Sequence, residues 1–218
     1  MKVELLSHFG NDDMIVNVAR VSYGKESSNY TKEQNVNLLK YLWNHGHTSP
    51  FRHPQLQFRI SCPIFVERQI FKHTVGISVN SISGRYVDFS DEYYSVPVGG
   101  WREQSKDSKQ GSAGPIQDAY QILANNIQQQ VIDFTKSRYD MLISLGVSKE
   151  QARIVLPLNL MTEFIWTGSL QAFIHLYNLR SKPDAQAETK QLAEMMMIAV
   201  QNIEGNPFEH TLKAFNFT

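Results

Sequence analysis

Gln69, Lys72 and His73 stand within Glu67-Arg68-Gln69-Ile70-Phe71-Lys72-His73 at spacings i, i+3 and i+4. On a helix these positions share a face, so an amide, an ammonium and an imidazole would be offered together. Polar helix faces are most often simply solvated, so the cluster gains meaning only from its company. The next segment supplies some. Asn80-Ser81-Ile82-Ser83-Gly84-Arg85-Tyr86 carries two hydroxyls, a glycine and an arginine. Backbone N–H groups beside a glycine can cradle a phosphate, and arginine binds phosphate through two parallel hydrogen bonds. The same residues are also ordinary turn formers.

Three further groups could carry chemistry. Arg153 opens the run Ala152-Arg153-Ile154-Val155-Leu156-Pro157-Leu158-Asn159, where a cation beside apolar residues needs an anion or exposure. Gln171, His175 and Leu179 recur every four residues and predict one helix face, with Arg180 ending that helix. A histidine on a helix is as often structural as functional, and a terminal arginine also suits the helix dipole. His45, His47 and His53 are close in sequence, but the spacing matches no zinc pattern and no carboxylate accompanies it, so no metal site is expected. Cys62 precedes Pro63 in apolar surroundings, which favours a buried, inert thiol over a nucleophile.

Periodicity predicts the elements that must position these groups. Val3 and Leu5 alternate with polar neighbours, as in a short strand, and a helix is expected over Asp12–Arg20. Thr31-Lys-Glu-Gln34 reads as a capping box opening a helix that buries Val36, Leu39, Leu42 and Trp43 and stops at Gly46. Gln55–Ile60 alternates strictly, as a half-buried strand does. Pro63 fits a first helical turn, with Ile64, Phe65 and Phe71 packing that helix. Residues 74–90 read as loop plus strand, and residues 99–114 as a mobile surface loop. A long helix is expected from Pro115 to Leu145, its apolar stripe including Ile116, Ala119, Leu123, Ile127, Val131, Phe134, Met141 and Leu145. Ser148-Lys-Glu-Gln151 reads as a second capping box, Met161–Thr167 as a strand, and Ser169 and Asp184 as caps of two further helices. The first of these would bury Leu170, Phe173, Ile174 and Tyr177, and the second Leu192, Met195, Met196, Ala199 and Ile203. The expected fold is a single α+β domain over 1–218, with a small mixed or antiparallel sheet packed beside long helices.

Bulk properties narrow the function. The chain has 218 residues, 42% hydrophobic and 19% charged, enough to bury a core and too few charges for disorder. Lys plus Arg (21) balance Asp plus Glu (21), so nothing advertises nucleic-acid or membrane binding, and any anion site must be local. The single cysteine excludes an internal disulfide. It suits a reducing compartment, and Met1-Lys2-Val3-Glu4 opens no apolar run of signal-peptide length, so a cytoplasmic location is expected.

Taken together, these motifs resemble the flavin-dependent thymidylate synthases. The family signature is Arg-His-Arg, a spacer, Ser, then Gly/Arg-Arg-Tyr. This chain has Lys72-His73-Thr74, eight residues, then Ser83-Gly84-Arg85-Tyr86, a spacer one residue longer than the family's, with Ile77 a candidate for the insertion. His47-Thr48-Ser49-Pro50-Phe51, Ile64-Phe65-Val66-Glu67-Arg68-Gln69, the Ala152–Asn159 run and Asn178-Leu179-Arg180 match in the same order, from about Val3 to the last helix.

The resemblance implies conversion of dUMP to dTMP, with methylenetetrahydrofolate as carbon donor, FAD carrying the hydride and NADPH reducing the flavin. It implies a homotetramer with sites between subunits. Arg180 would be catalytic, stabilising charge on the uracil. Gln69, Lys72, Ser81, Ile82, Ser83, Gly84, Arg85, Arg153 and Arg180 would bind dUMP, Ser83 as a ligand rather than a nucleophile. Ser49, His73, Thr74, Val75, Ser169, Gln171, His175 and Leu179 would contact FAD. The chain departs from the family at Lys72 and Thr74, each an arginine in the signature, at Ser81 in place of Glu, at Arg52 in place of an acid, and at Asp184 in place of His. Two alternatives follow from those departures: hydroxymethylation of a pyrimidine nucleotide on the same fold, or a nucleotide-binding protein that has lost flavin chemistry.

Overall fold

The computed structural model describes residues 1–87, 92–106 and 111–217. Strand β1 (Lys2–Phe9) leads into α1 (Asp12–Arg20), whose first turn is closed by Asn11 Oδ1 accepting from Met14 N at 2.8 Å. Helix α2 (Lys32–Asn44) begins with the expected capping box: Thr31 Oγ1 accepts from Gln34 N, and Gln34 Oε1 from Thr31 N. It buries Asn35, Leu39 and Leu42, and Gly46 follows its end at φ +70°. Strand β2 (Gln55–Pro63) keeps the alternation seen in the sequence. Pro63 closes that strand and caps α3 (Ile64–Ile70) instead of entering its first turn.

Strand β3 (Ile77–Ser81) occupies part of the segment read as loop plus strand, of which 88–90 lie outside the described residues. The stretch read as a surface loop instead forms a two-stranded ribbon, β4 (Arg102–Gln104) with β5 (Ser112–Pro115). Residues 107–110 of that stretch lie outside the described residues. Pro115 pairs with Arg102 in this ribbon, so the long helix α4 starts later and runs Asp118–Ser144. Next, α5 (Lys149–Ala152) is one turn long, and Ser148 caps it through its backbone carbonyl only, so the second capping box does not form.

Strand β6 (Met161–Ser169) passes directly into α6 (Leu170–Arg180), where Ser169 Oγ accepts from Ala172 N at 3.3 Å. This helix buries Leu170, Ala172, Phe173, Ile174 and Leu176, with Tyr177 half-buried. Helix α7 (Ala187–Gln201) is capped at Gln186, not Asp184. It buries Leu192 and Met196, while Met195, Ala199 and Ile203 are half-buried. Helix α8 (Glu209–Ala214) follows without having been foreseen.

The main sheet runs β1-β2-β6-β3 and is antiparallel throughout. Phe58, Phe164, Trp166 and Phe173 interlock edge to face beneath it, with ring centroids 5.0–6.0 Å apart. Phe71 joins them from beyond α3, 4.9 Å from Phe164. Burial of Cys62 in the same core pushes its thiol up to about 12, so it carries no thiolate near neutrality. The apolar stripe of α4 is not in this core. Leu123, Ile127, Phe134 and Leu145 are 53–71% exposed. Periodicity reports a face that favours cover; here the chain's own core does not cover it.

Candidate functional site

The site is built where β6 becomes α6. Gly168 has no room for a side chain: a Cβ there would meet Gly76 O and Ile77 Cγ1, both at 2.8 Å. That close approach lets Ser169 N donate to Gly76 O at 3.2 Å, tying the 74–76 segment to the start of α6. Gly76 adopts φ +73°, a conformation glycine takes without strain.

The expected shared helical face of Gln69, Lys72 and His73 does not form. Helix α3 ends at Ile70, and the chain goes on through β-branched Thr74 and Val75 to left-handed Gly76. Lys72 and His73 therefore turn into one cavity and Gln69 toward its neighbour.

The first cavity, about 460 Å3, is lined by Lys72, His73, Thr74, Val75, Gln171, His175, Leu179 and Arg180, together with Arg52, Ile77 and Ala172. The i, i+4, i+8 face of α6 thus forms as read, and two departures from the family signature, Lys72 and Thr74, both sit here. The second cavity, about 510 Å3, is lined by Gln69, Leu179, Arg180, Lys182, Asp184, Ala185 and Gln186. Leu179 and Arg180 belong to both walls.

Arg180 is held from two sides. Its Nε donates to His73 Nε2 at 3.0 Å, and Nη2 donates to the Gln69 carbonyl at 3.1 Å. Burial, the Arg180 charge and His175 together lower the pKa of His73 to about 4, so its imidazole is neutral near neutral pH. The two histidine rings meet edge to face, 6.1 Å apart.

A second network was invisible in the sequence. Glu188, 7% exposed in the first turn of α7, accepts from Arg102 Nη2 at 2.9 Å and from Gln186 Nε2 at 3.0 Å. Burial favours its neutral form, but bonds from the backbone, Arg102 and Gln186 outweigh that and hold its pKa below the usual range. Gln69 Nε2 donates to Gln186 Oε1, and Thr189 Oγ1 donates to Gln69 Oε1 at 3.0 Å. Phe65, Tyr94, Trp101 and Arg102 close a further cavity of about 360 Å3 over Glu188 and Gln186. An acid in a first helical turn is an ordinary sequence feature, so no local signal marked Glu188 out.

The remaining expected residues stand apart. Ile77 lines the first cavity, and four residues of extended chain carry Ser81 about 13 Å beyond it. Ile82 N then donates to Glu163 O, and Ser83, Gly84 and Arg85 form a turn in which Ser83 O accepts from Tyr86 N at 3.0 Å. Arg85 pairs with Glu150 at 3.4 Å, and Arg153 Nε donates to the Glu150 carbonyl. Within one chain this turn does not line the cavities beside Arg180. Ser49 is exposed on a 3-10 turn, Ser49–Arg52, and Ser169 is buried as the cap of α6. His45 and His47 stack on Tyr41, and among the described residues no three His, Cys, Asp or Glu gather in a metal-binding group. No helix among them is long and apolar enough to cross a membrane.

Residues 4–204 match the family described as thymidylate synthase complementing protein, Thy1. The chain is 41% identical over 192 residues to a flavin-dependent thymidylate synthase of Thermus thermophilus, covering 88% of this chain and 68% of the relative. It is 38% identical over 213 residues to the enzyme of that name from Kosmotoga olearia, covering 98% and 89%. Among solved structures, the UMP/dUMP methylase PolB from Streptomyces cacaoi bound with 5-Br dUMP superposes with a TM-score of 0.85 at 28% identity. That superposition covers 98% of this chain and 93% of PolB.

Proposed function

The chain belongs to the flavin-dependent thymidylate synthase family, and from that premise we propose that it converts dUMP to dTMP. The carbon comes from methylenetetrahydrofolate, and NADPH supplies the reducing equivalents. The observation that carries this reading is the position of Arg180, in the common wall of two cavities and fixed by His73 and Gln69.

The first cavity suits FAD. Arg52, Lys72 and Arg180 bring three cations to it, Gln171 and His175 add polar groups, and no carboxylate among the described residues lines it. Such a lining favours a ligand with a pyrophosphate. Residues Lys72 to Val75 and the α6 face of Gln171, His175 and Leu179 would hold it, with Ser169 fixing the helix start. When bound, FAD supplies the hydride.

The uracil of dUMP lies in the second cavity against Gln69 and Arg180. Attack by the ring on the carbon donor needs negative charge stabilised on the base. A guanidinium already held in place does this without reorganising during the reaction. Because His73 and the Gln69 carbonyl use two of its donors, Arg180 presents the others in a fixed direction.

Ser81, Ile82, Ser83, Gly84, Arg85 and Arg153 bind the nucleotide's sugar and phosphate from a neighbouring subunit. Two observations support that division of labour. The Ser83–Arg85 turn does not line the cavities of its own chain, and α4 exposes an apolar stripe that a homotetramer would cover.

The test is an absorbance spectrum of the purified protein. Flavin bands that bleach with NADPH support the reading. A preparation with no bands, even after soaking in FAD, contradicts it and favours a nucleotide-binding role.

A further inference from the structure

We infer that Glu188 determines which pyrimidine base the site accepts, by fixing the orientation of the Gln69 amide through Gln186. The inference rests on the proposed position of the uracil against Gln69.

A glutamine amide is ambiguous: turned over, it exchanges an acceptor for a donor at nearly the same place. Uracil and cytosine differ in that same sense along one edge. Uracil offers N3–H as donor beside O4 as acceptor, whereas cytosine offers N3 as acceptor beside an N4 amino donor. A Gln69 free to turn over would accept either base. Its selectivity therefore depends on what holds it.

The chain of bonds supplies the hold, and it has one direction. An ionised Glu188 can only accept. It takes Arg102 Nη2 on Oε1 at 2.9 Å and Gln186 Nε2 on Oε2 at 3.0 Å. Gln186 must then turn its oxygen to Gln69, and Gln69 must turn its NH2 to Gln186. Gln69 Oε1 is left facing Thr189, whose hydroxyl donates at 3.0 Å. Thr189 imposes nothing itself, because a hydroxyl can donate or accept. Only the carboxylate breaks the symmetry. In this orientation Gln69 keeps one lone pair and one N–H for a ligand, the pattern that meets N3–H and O4 of uracil. Glu188 lies one residue removed from any contact with the base, so its role is positioning.

The experiment measures dissociation constants of dUMP and dCMP by calorimetry on the flavin-loaded protein. The variants are Glu188→Gln, Gln186→Met and Gln69→Ala. Glu188→Gln keeps the shape but can donate or accept, so the relay loses its direction. The preference for dUMP over dCMP is expected to fall by about 10-fold or more, the scale of one two-bond base contact. Gln186→Met cuts the relay while leaving the Arg102–Glu188 pair, and should lower the preference similarly, which keeps the test decisive should Glu188→Gln fail to fold. Equal weakening of both nucleotides, with the preference intact, would show a purely structural Glu188 and overturn the inference. Gln69→Ala separates the two readings. Unchanged dUMP affinity in that variant removes the base from Gln69 and takes the functional placement down with the inference. Lost dUMP affinity there, beside an unchanged preference in the other two variants, overturns the inference alone.

Discussion

His73 Nε2 and Arg180 Nε stand 3.0 Å apart, and the guanidinium is the only possible donor of that bond. His73 therefore carries its single proton on Nδ1. A neutral imidazole that accepts from an arginine orients the cation without competing with its charge.

Arg180→Ala should leave the fold intact and lower kcat by about 100-fold or more, the scale of losing one preorganised charge-stabilising group. Arg180→Lys should not restore it, because one ammonium cannot reach both His73 and the Gln69 carbonyl while facing the substrate. Steady-state kinetics with circular dichroism on both variants checks this. Near-normal turnover in either would remove Arg180 from the chemistry.

The depressed pKa of His73 has a stability consequence. Its pKa is about 4 folded, against an ordinary 6.5. Between these values the unfolded chain binds a proton that the folded chain refuses, so stability rises with pH there. The contribution is fully present above about pH 6.5 and is lost as pH falls toward about 4. The urea midpoint of the wild type relative to His73→Gln should accordingly shrink from about pH 7 to about pH 5. A difference independent of pH would contradict a neutral His73.

Much of this arrangement was legible locally. The box at Thr31 and the cap at Ser169 are short-range chemistry, and the four-residue rhythm of Gln171, His175 and Leu179 places them on one wall. What was not legible is pairing at a distance. Arg102 and Glu188 are 86 residues apart, and nothing near either announces the other. The cap of α7 shifted from Asp184 to Gln186, whose side chain is engaged by Gln69 and Glu188. The period of α4 marks an apolar stripe, but period alone cannot say what covers it.

Arg85→Ala should raise the KM for dUMP with little change in kcat, as loss of a uniform binding contact does. Stability should hardly move, since the Arg85–Glu150 pair is 55% exposed on both sides and such pairs contribute about 0–1 kcal/mol. Titrating dUMP in initial-rate assays decides it. An unchanged KM would take the phosphate away from this turn.

Replacing Ile127 and Phe134, 53% and 59% exposed on α4, by Glu should split the proposed homotetramer into smaller species by light scattering. Activity should fall with it if neighbouring subunits complete each site. A monomeric wild type would contradict the shared-site account.

The most direct test of the central claim is the mass of the nucleotide formed from dUMP with FAD, NADPH and methylenetetrahydrofolate. The expected product is heavier than dUMP by one CH2 group, as dTMP is. A product heavier by CH2O would mean hydroxymethylation, and dUMP bound but unchanged would mean that this chain does no methyl transfer.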